Sequence, residues 1–302
     1  MPFLGAGASN SGIPFSPRAT LPQGSDLAAY LSQMFLYPKA GDDLLRVAQY
    51  VATMHGYRDL NETLHELFDA DFTPTSLHVF LAGLPTLLSG SPAAERSPDF
   101  TKYQVIVTTN YDDTLERAFR AVDEPYDLIT YKAGDAKRRQ PGMFLHWPLG
   151  RSPRPVEMDE GGYCHDLALD ERTLIMKMHG VVARKGQGPE CESFVITEDH
   201  YIDYLASAGL SKLVPVQVFD RLVNSRLLFV GYALKDWNLR VILQSIWMER
   251  AFDVPAWALQ LEPDDFDEEF WRDRGISIFD IPIDTYVEKL GKRLQELRTA
   301  SR

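Results

Sequence analysis

The sequence predicts an α/β fold: a mainly parallel sheet with helices on both faces and a helical insertion. Three observations carry the prediction. A glycine turn, Gly5-Ala6-Gly7-Ala8-Ser9, follows a very short opening strand. The run YQVIVTTN at 103–110 is dense in β-branched residues and polar at both ends, the pattern of a strand buried on both faces. After residue 100, apolar strand-like runs alternate with helical periodicities, as in a parallel sheet with crossover helices.

The segment SGIPFSPRATLPQG behind the glycine turn is rich in Pro, Gly and Ser and reads as a loop. From Asp26, the residues Leu27, Tyr30, Leu31, Met34 and Phe35 recur at spacings of three and four, which predicts a helix. Leu44, Leu45, Ala48 and Val51 continue in a second helix, ended by His55-Gly56. Leu60, Leu64 and Phe68 predict a third. Leu77, Leu81 and Leu84 predict a fourth, with Thr75 or Ser76 near its cap. Four successive helices without a strand do not fit simple alternation. Residues 25–100 are therefore read as a helical insertion on a domain formed by 1–24 and 101–302.

Beyond 103–110, a helix carries Leu115, Ala118, Phe119 and Val122 on one face. Asp112 and Asp113 sit at its first turn, where unpaired amides favour negative charge. The region 132–170 reads as irregular. TLIMKMHGVV (173–182), SFVIT (193–197), RLLFVGY (226–232), AWALQL (256–261) and ISIFDI (276–281) are strand candidates. EDHYIDYLAS reads as a helix start capped by Thr197, and a helix over 211–223 is disturbed near Pro215. A helix after Gly231 carries Trp237, Val241 and Ile246, and an amphipathic helix over 284–298 closes the chain.

Composition is that of an ordinary globular protein, with 45% hydrophobic and 25% charged residues. No run nears roughly 18 uninterrupted apolar residues, so no membrane span is expected. Gly5 and Gly7 come too early for a signal peptide to precede them, which places the protein in the cytoplasm. The two distant cysteines, Cys164 and Cys191, suit neither a disulfide framework nor a zinc site, and the histidines make no HxxxH pair. No metal is expected. His55, His65 and His78 are read as structural or surface residues.

The net charge of −12 argues against strong direct nucleic-acid binding. Lys132, Lys137, Arg138, Arg139, Arg151 and Arg154 are a local exception. They read either as a solvated loop or as one that contacts phosphate or a partner. Trp247 and Trp257 suit either the core or an interface.

At the glycine turn, missing side chains let a phosphate approach the backbone, and a helix start presents free amides to it. Ser9 can add a hydroxyl, and Gly12-Ile13-Pro14-Phe15 reads as a stiff loop over a ligand. The turn lacks the third glycine of the common dinucleotide fingerprint and, taken alone, also suits a plain strand–helix turn. Its place after the opening strand favours nucleotide binding and a Rossmann-like domain. No GxxxxGK[ST] run is present, which argues against a P-loop ATPase. No acidic residue stands where a dehydrogenase would contact ribose, which disfavours hydride transfer.

Asn110 stands where a strand stops and a helix begins. It can cap that helix, or fix a water or a ribose hydroxyl. His179, before Gly180, can be a structural histidine or a proton acceptor.

Together, GAGAS with GIPF, then TTNYD, then KMHG resemble the sirtuin (Sir2) family pattern. ITEDHY and FVGYALKDWNLR make the resemblance strongest to the prokaryotic SIR2-like, NAD-cleaving defence branch. It covers most of residues 3–245. The resemblance implies an NAD site in which Gly5, Ala6, Gly7 and Ser9 cradle the pyrophosphate. Ile13, Pro14 and Thr109 would adjoin the ligand. Asn110 and Asp112 would lie at the nicotinamide ribose, His179 would accept a proton, and Gly231 and Tyr232 would lie near the adenosine. The four-cysteine zinc module of sirtuin deacylases cannot be built here, and their acyl-lysine peptide motif is not recognisable.

The resemblance therefore implies an NAD+ glycohydrolase that releases nicotinamide and ADP-ribose, linear or cyclic, in bacterial defence against phage. The alternatives are an NAD-dependent protein deacylase, a non-enzymatic subunit that binds NAD or ADP-ribose, and a nuclease component. The implied partners are further copies of the chain or a DNA-translocating ATPase of the HerA or FtsK type.

Overall fold

The computed structural model describes residues 1–10, 12–39, 43–89, 101–134, 140–148, 152–185, 187–206, 210–232 and 254–299. Strand β1 (Pro2–Leu4) leads through Gly5 into a single helical turn, α1 (Ala6–Ser9). Four helices follow: α2 (Gly24–Met34), α3 (Leu44–Met54), α4 (Tyr57–Phe68) and α5 (Ser76–Leu88). The chain then runs through β2 (Val105–Thr108), α6 (Thr114–Ala121), β3 (Tyr126–Lys132), β4 (Met143–Trp147), β5 (Arg154–Pro155) and β6 (Thr173–Lys177). After these come β7 (Gly180–Val181), β8 (Ser193–Phe194), α7 (Glu198–Ala206), α8 (Leu210–Leu213) and α9 (Val216–Asn224). It ends with β9 (Leu228–Val230), β10 (Ala256–Leu259), α10 (Asp265–Arg272), β11 (Ile276–Phe279) and α11 (Ile283–Thr299).

Among the described residues, nine strands form one sheet in the order β11-β10-β9-β1-β2-β6-β3-β4-β5. From β11 to β3 every pairing is parallel, and β4 and β5 add an antiparallel edge. Successive strand residues point to opposite faces. Phe3, Val105, Val107, Leu174 and Met176 thus meet α9 and α10 through Val218, Leu222 and Trp271. Leu4, Ile106 and Ile175 meet α5, α6 and α11 through Leu81, Phe119 and Val287. Both faces are covered, which is why these strands are apolar without a break. No helix among the described residues is long and apolar enough to cross a membrane.

The helical stretch divides in two. Helices α2, α3 and α4 pack on one another through Leu31, Val47, Val51, Leu60 and Leu64, and against Val182, Phe194 and Ile196 around the β7–β8 hairpin. Helix α5 instead lies on the sheet beside α6 and α11. Its apolar face matches the sheet core, so periodicity alone could not separate it from the three helices before it.

The region 126–155, left without an element from 132 onward, contains β3, β4 and β5. Strand β3 was hidden by its polar residues. Its buried Asp127 accepts hydrogen bonds from the Ala168 amide and from Arg172, both at 3.3 Å, and faces His146 at 3.5 Å. The candidate strand 173–182 stops at Lys177, turns at His179-Gly180 and resumes as β7.

Trp237, Val241, Ile246, Trp247, Lys137, Arg138, Arg139 and Arg151 lie outside the described residues. Trp257 is half-buried in β10. In the basic stretch, Lys132 donates to the Glu190 carbonyl at 2.7 Å and Arg154 pairs with Asp166 at 2.7 Å.

Beneath the carboxyl edge of the sheet, Lys177 and Glu116 form an ion pair at 2.8 Å, both almost completely buried. Lys177 also donates to the Asp112 carbonyl. Burial pushes the Glu116 carboxyl up, and the Lys177 ammonium opposes that shift. Breaking such a pair from one side leaves an uncompensated charge in a dry interior. Lys177→Met should therefore cost about 3–5 kcal/mol of folding stability, and Lys177→Met with Glu116→Leu should recover most of it. Denaturant unfolding of both variants checks this.

Candidate active site

The centre of the sheet builds a cleft at its carboxyl edge, because β9, β1, β2 and β6 are consecutive and parallel. Each ends on a loop that carries candidate residues. Two of these loops touch through backbone. The Gly5 amide donates to the Val230 carbonyl and the Gly7 amide to the Gly231 carbonyl, each at 2.9 Å. Gly231 has φ +74, and a Cβ there would collide with the Ala8 amide nitrogen. A Cβ on Gly7 would lie 2.9 Å from the Gly231 Cα. The glycines thus let two loops cross in contact. The same bonds narrow the run of free amides anticipated at this turn. Of the Gly5, Ala6 and Gly7 amides, Ala6 alone has no acceptor among the described residues.

Asn110 is held by this crossing. Its Nδ2 donates to the Gly5 carbonyl at 3.0 Å and to the Ser9 hydroxyl at 2.9 Å. A carbonyl can only accept, so the amide end of Asn110 must face Gly5. Both amide hydrogens are then used, and Oδ1 is the end left for a ligand. Ser9 is buried, and its hydroxyl is engaged with Asn110 and, at 3.4 Å, with Thr114.

These residues open on a cavity of about 580 Å³. Small-ligand sites span roughly 300–1,000 Å³. The sheet edge contributes Ala6, Gly7, Ser9, Thr109, Asn110, Tyr111, Asp112, His179, Gly231 and Tyr232. Thr109 and Tyr232 join hydroxyls across the mouth at 3.0 Å. Further lining comes from Leu21–Ser25, Leu27, Asp43–Leu45 and Phe68, around helices α2, α3 and α4, and from Val195, Ile196 and Tyr201. No lysine or arginine lines it among the described residues.

Gly5 lies beneath the cavity as the acceptor for Asn110, not in its lining. Ile13 and Pro14 do not line it, and Ile13 is 57% exposed. Asp112 lines the cavity, yet its Oδ1 accepts from the Thr114 amide at 3.0 Å and from the Thr114 hydroxyl, which starts α6. Its carbonyl holds Lys177. One carboxylate oxygen is therefore committed to local structure.

His179 is buried, and the loss of solvent lowers its pKa to about 3, so the imidazole is neutral. The Tyr201 hydroxyl lies 3.2 Å from its Nδ1 and 3.4 Å from its Nε2. Tyr201 belongs to ITEDHY, yet a single sequence assigns it no role, because its contact with His179 spans a turn and a hairpin. The lobe residues that wall the cavity carry no motif and were invisible in the sequence. Among the described residues, no cluster of three His, Cys, Asp or Glu could hold a metal ion.

Two predictions follow from this geometry. Gly231→Ala should lose about 2 kcal/mol or more, since alanine there meets both a positive φ and a collision; its thermal unfolding reads the loss. Buried His78 is lowered to about 4 by desolvation, with Asp112 opposing and Lys177 assisting. The unfolded chain binds that proton near the ordinary histidine value and the folded chain only below it, so stability falls as pH drops from about 6.5 toward 4. His78→Gln should remove about 1.4 kcal/mol per pH unit from the slope in that window, measured by urea unfolding.

No curated protein matches the chain. The SIR2-like domain family matches residues 104–279, from β2 through β11, which includes Asn110, His179, Tyr201 and Gly231. SIR2-like domains use NAD. With more than half of its length matched over the strands that form the cleft, the chain belongs to the SIR2-like domain family.

Proposed function

We propose that this protein hydrolyses NAD+ at the cleft, releasing nicotinamide and ADP-ribose. The observation that carries the reading is the fixed amide of Asn110. Its nitrogen is spent on Gly5 and Ser9, which leaves Oδ1 as the end available to a ligand in the cavity that Asn110 and His179 both line.

The chemistry follows from the substrate. Nicotinamide leaves as a neutral molecule from a cationic ring, so no acid is needed to expel it. Positive charge grows on the ribose as the glycosidic bond breaks. The Asn110 carbonyl dipole favours that charge, as does a lining with Asp112 and without lysine or arginine among the described residues. Water supplies the oxygen of the new bond at the ribose, and Asn110 Oδ1 accepts one of its hydrogen bonds. Neutral His179 can take the proton from that water or from the ribose diol. The Ala6 amide is suited to a pyrophosphate oxygen, and the lobe wall keeps stray water out.

A free NAD hydrolase would deplete its own cell. Control by assembly is therefore part of the proposal, through a homo-oligomer or a DNA-translocating ATPase partner, in a defence role against phage.

Incubation with NAD should yield nicotinamide and ADP-ribose, identified by chromatography and mass. Asn110→Ala should keep the fold and lower turnover by about 100-fold or more. Full turnover by that variant overturns the assignment. Nicotinamide release that requires an acylated peptide would make the protein a deacylase, and NAD binding without release would make it a non-enzymatic subunit.

A further inference from the structure

Helix α7 is fastened to the helical lobe at its first turn. Glu198 accepts from Arg46 at 3.1 and 3.2 Å. Gln49 uses both ends of its amide on Asp199: Nε2 donates to Oδ2 at 2.9 Å, and Oε1 accepts from the Asp199 amide at 3.0 Å. The Tyr57 hydroxyl adds a bond to Asp199 Oδ2 at 3.3 Å. The Thr197 hydroxyl caps the helix by accepting from the His200 amide at 3.2 Å. Tyr201 therefore stands on a fixed turn. Its ring meets that of His179 edge-on, with centroids 5.3 Å apart at 87°.

We propose that Tyr201 is the positioning residue for His179, restraining the imidazole through a hydroxyl within 3.4 Å of both ring nitrogens and supplying the acceptor its protonated form needs. This inference rests on the NAD-cleaving role given to His179 above. A neutral imidazole has one N–H and one bare nitrogen, and a hydroxyl can donate to either or accept from either. Tyr201 is thus within reach of either tautomer. When His179 takes a proton, both nitrogens carry hydrogen, in a place where burial removes the water that would solvate the cation. A small rotation of the ring then lets the Tyr201 oxygen, 3.2 Å from Nδ1, accept a charge-assisted bond. The anchored first turn of α7 makes this arrangement dependent on the lobe, which also walls the cavity.

The test is Tyr201→Phe in the full chain, which keeps the ring and its packing and removes the hydroxyl. A lost bond to a charged group corresponds to about 10- to 100-fold in rate. The expected result is a fall in kcat of that size, with KM for NAD and the unfolding temperature close to wild type. In a His179→Ala background the same substitution should cause no further loss of kcat, because the proposed role is exercised through the imidazole. Wild-type kcat in Tyr201→Phe, or losses that multiply in the double variant, overturns the proposal. Nitrogen NMR of the His179 ring separates this from failure of the NAD reading. If the wild type cleaves no NAD, ring signals displaced by Tyr201→Phe still support the placement, and unmoved signals overturn it.

Discussion

The site depends on two loops crossing in backbone contact. Gly5 and Gly7 give their amides to Val230 and Gly231, and Gly231 fits only because it has no Cβ and adopts a positive φ. This crossing ties β1 to β9 at the carboxyl edge. It also presents the Gly5 carbonyl and the Ser9 hydroxyl to Asn110, which sets the direction of its amide. The glycine turn thus acts as a scaffold for a polar side chain. A larger residue at the crossing would separate the loops and free Asn110 to rotate.

Buried polar groups gather behind Asp112, which lines the cleft. Lys177, Glu116, His78 and His179 all lie in surroundings that resist charge. Lys177 is offset by Glu116 and by the Asp112 carbonyl. The two histidines remain neutral instead. Each arrangement costs desolvation, and His78 Nε2 and Glu116 Oε2 are buried without a hydrogen-bond partner among the described residues. Burial thus leaves both imidazoles uncharged at neutral pH.

The helical lobe has two structural tasks. Its core of α2, α3 and α4 lines part of the cavity, and its surface holds the first turn of α7. The sheet supplies Asn110 and His179, while the lobe supplies enclosure and, through α7, the seat of Tyr201. Helix α5, contiguous in sequence with the lobe, belongs to the sheet layer because its apolar stripe faces Leu4 and Ile106.

Much of the fold was legible in the residues themselves. The β-branched run at 105–108, the apolar runs that became β6, β9, β10 and β11, and the periodicities of α2 to α5 report burial directly, because burial selects side chains at local spacings. The glycine turn, Asn110 and His179 stood out because each occupies a strand end, where an α/β chain places its chemistry. Strand β3 and the edge strands were not legible, since the partners that satisfy Asp127 come from residues 146, 168 and 172. Nor was the division of the helical stretch, the commitment of Asp112 and Ser9 to local bonds, or the contact of Tyr201 with His179. Those depend on strand order and loop crossing, which bring together groups whose separation along the chain leaves no periodic trace. Sequence alone therefore determined which residues are apolar and which are equipped for chemistry. Tertiary structure decided which of them meet, because hydrogen bonds and desolvation act through distance in space.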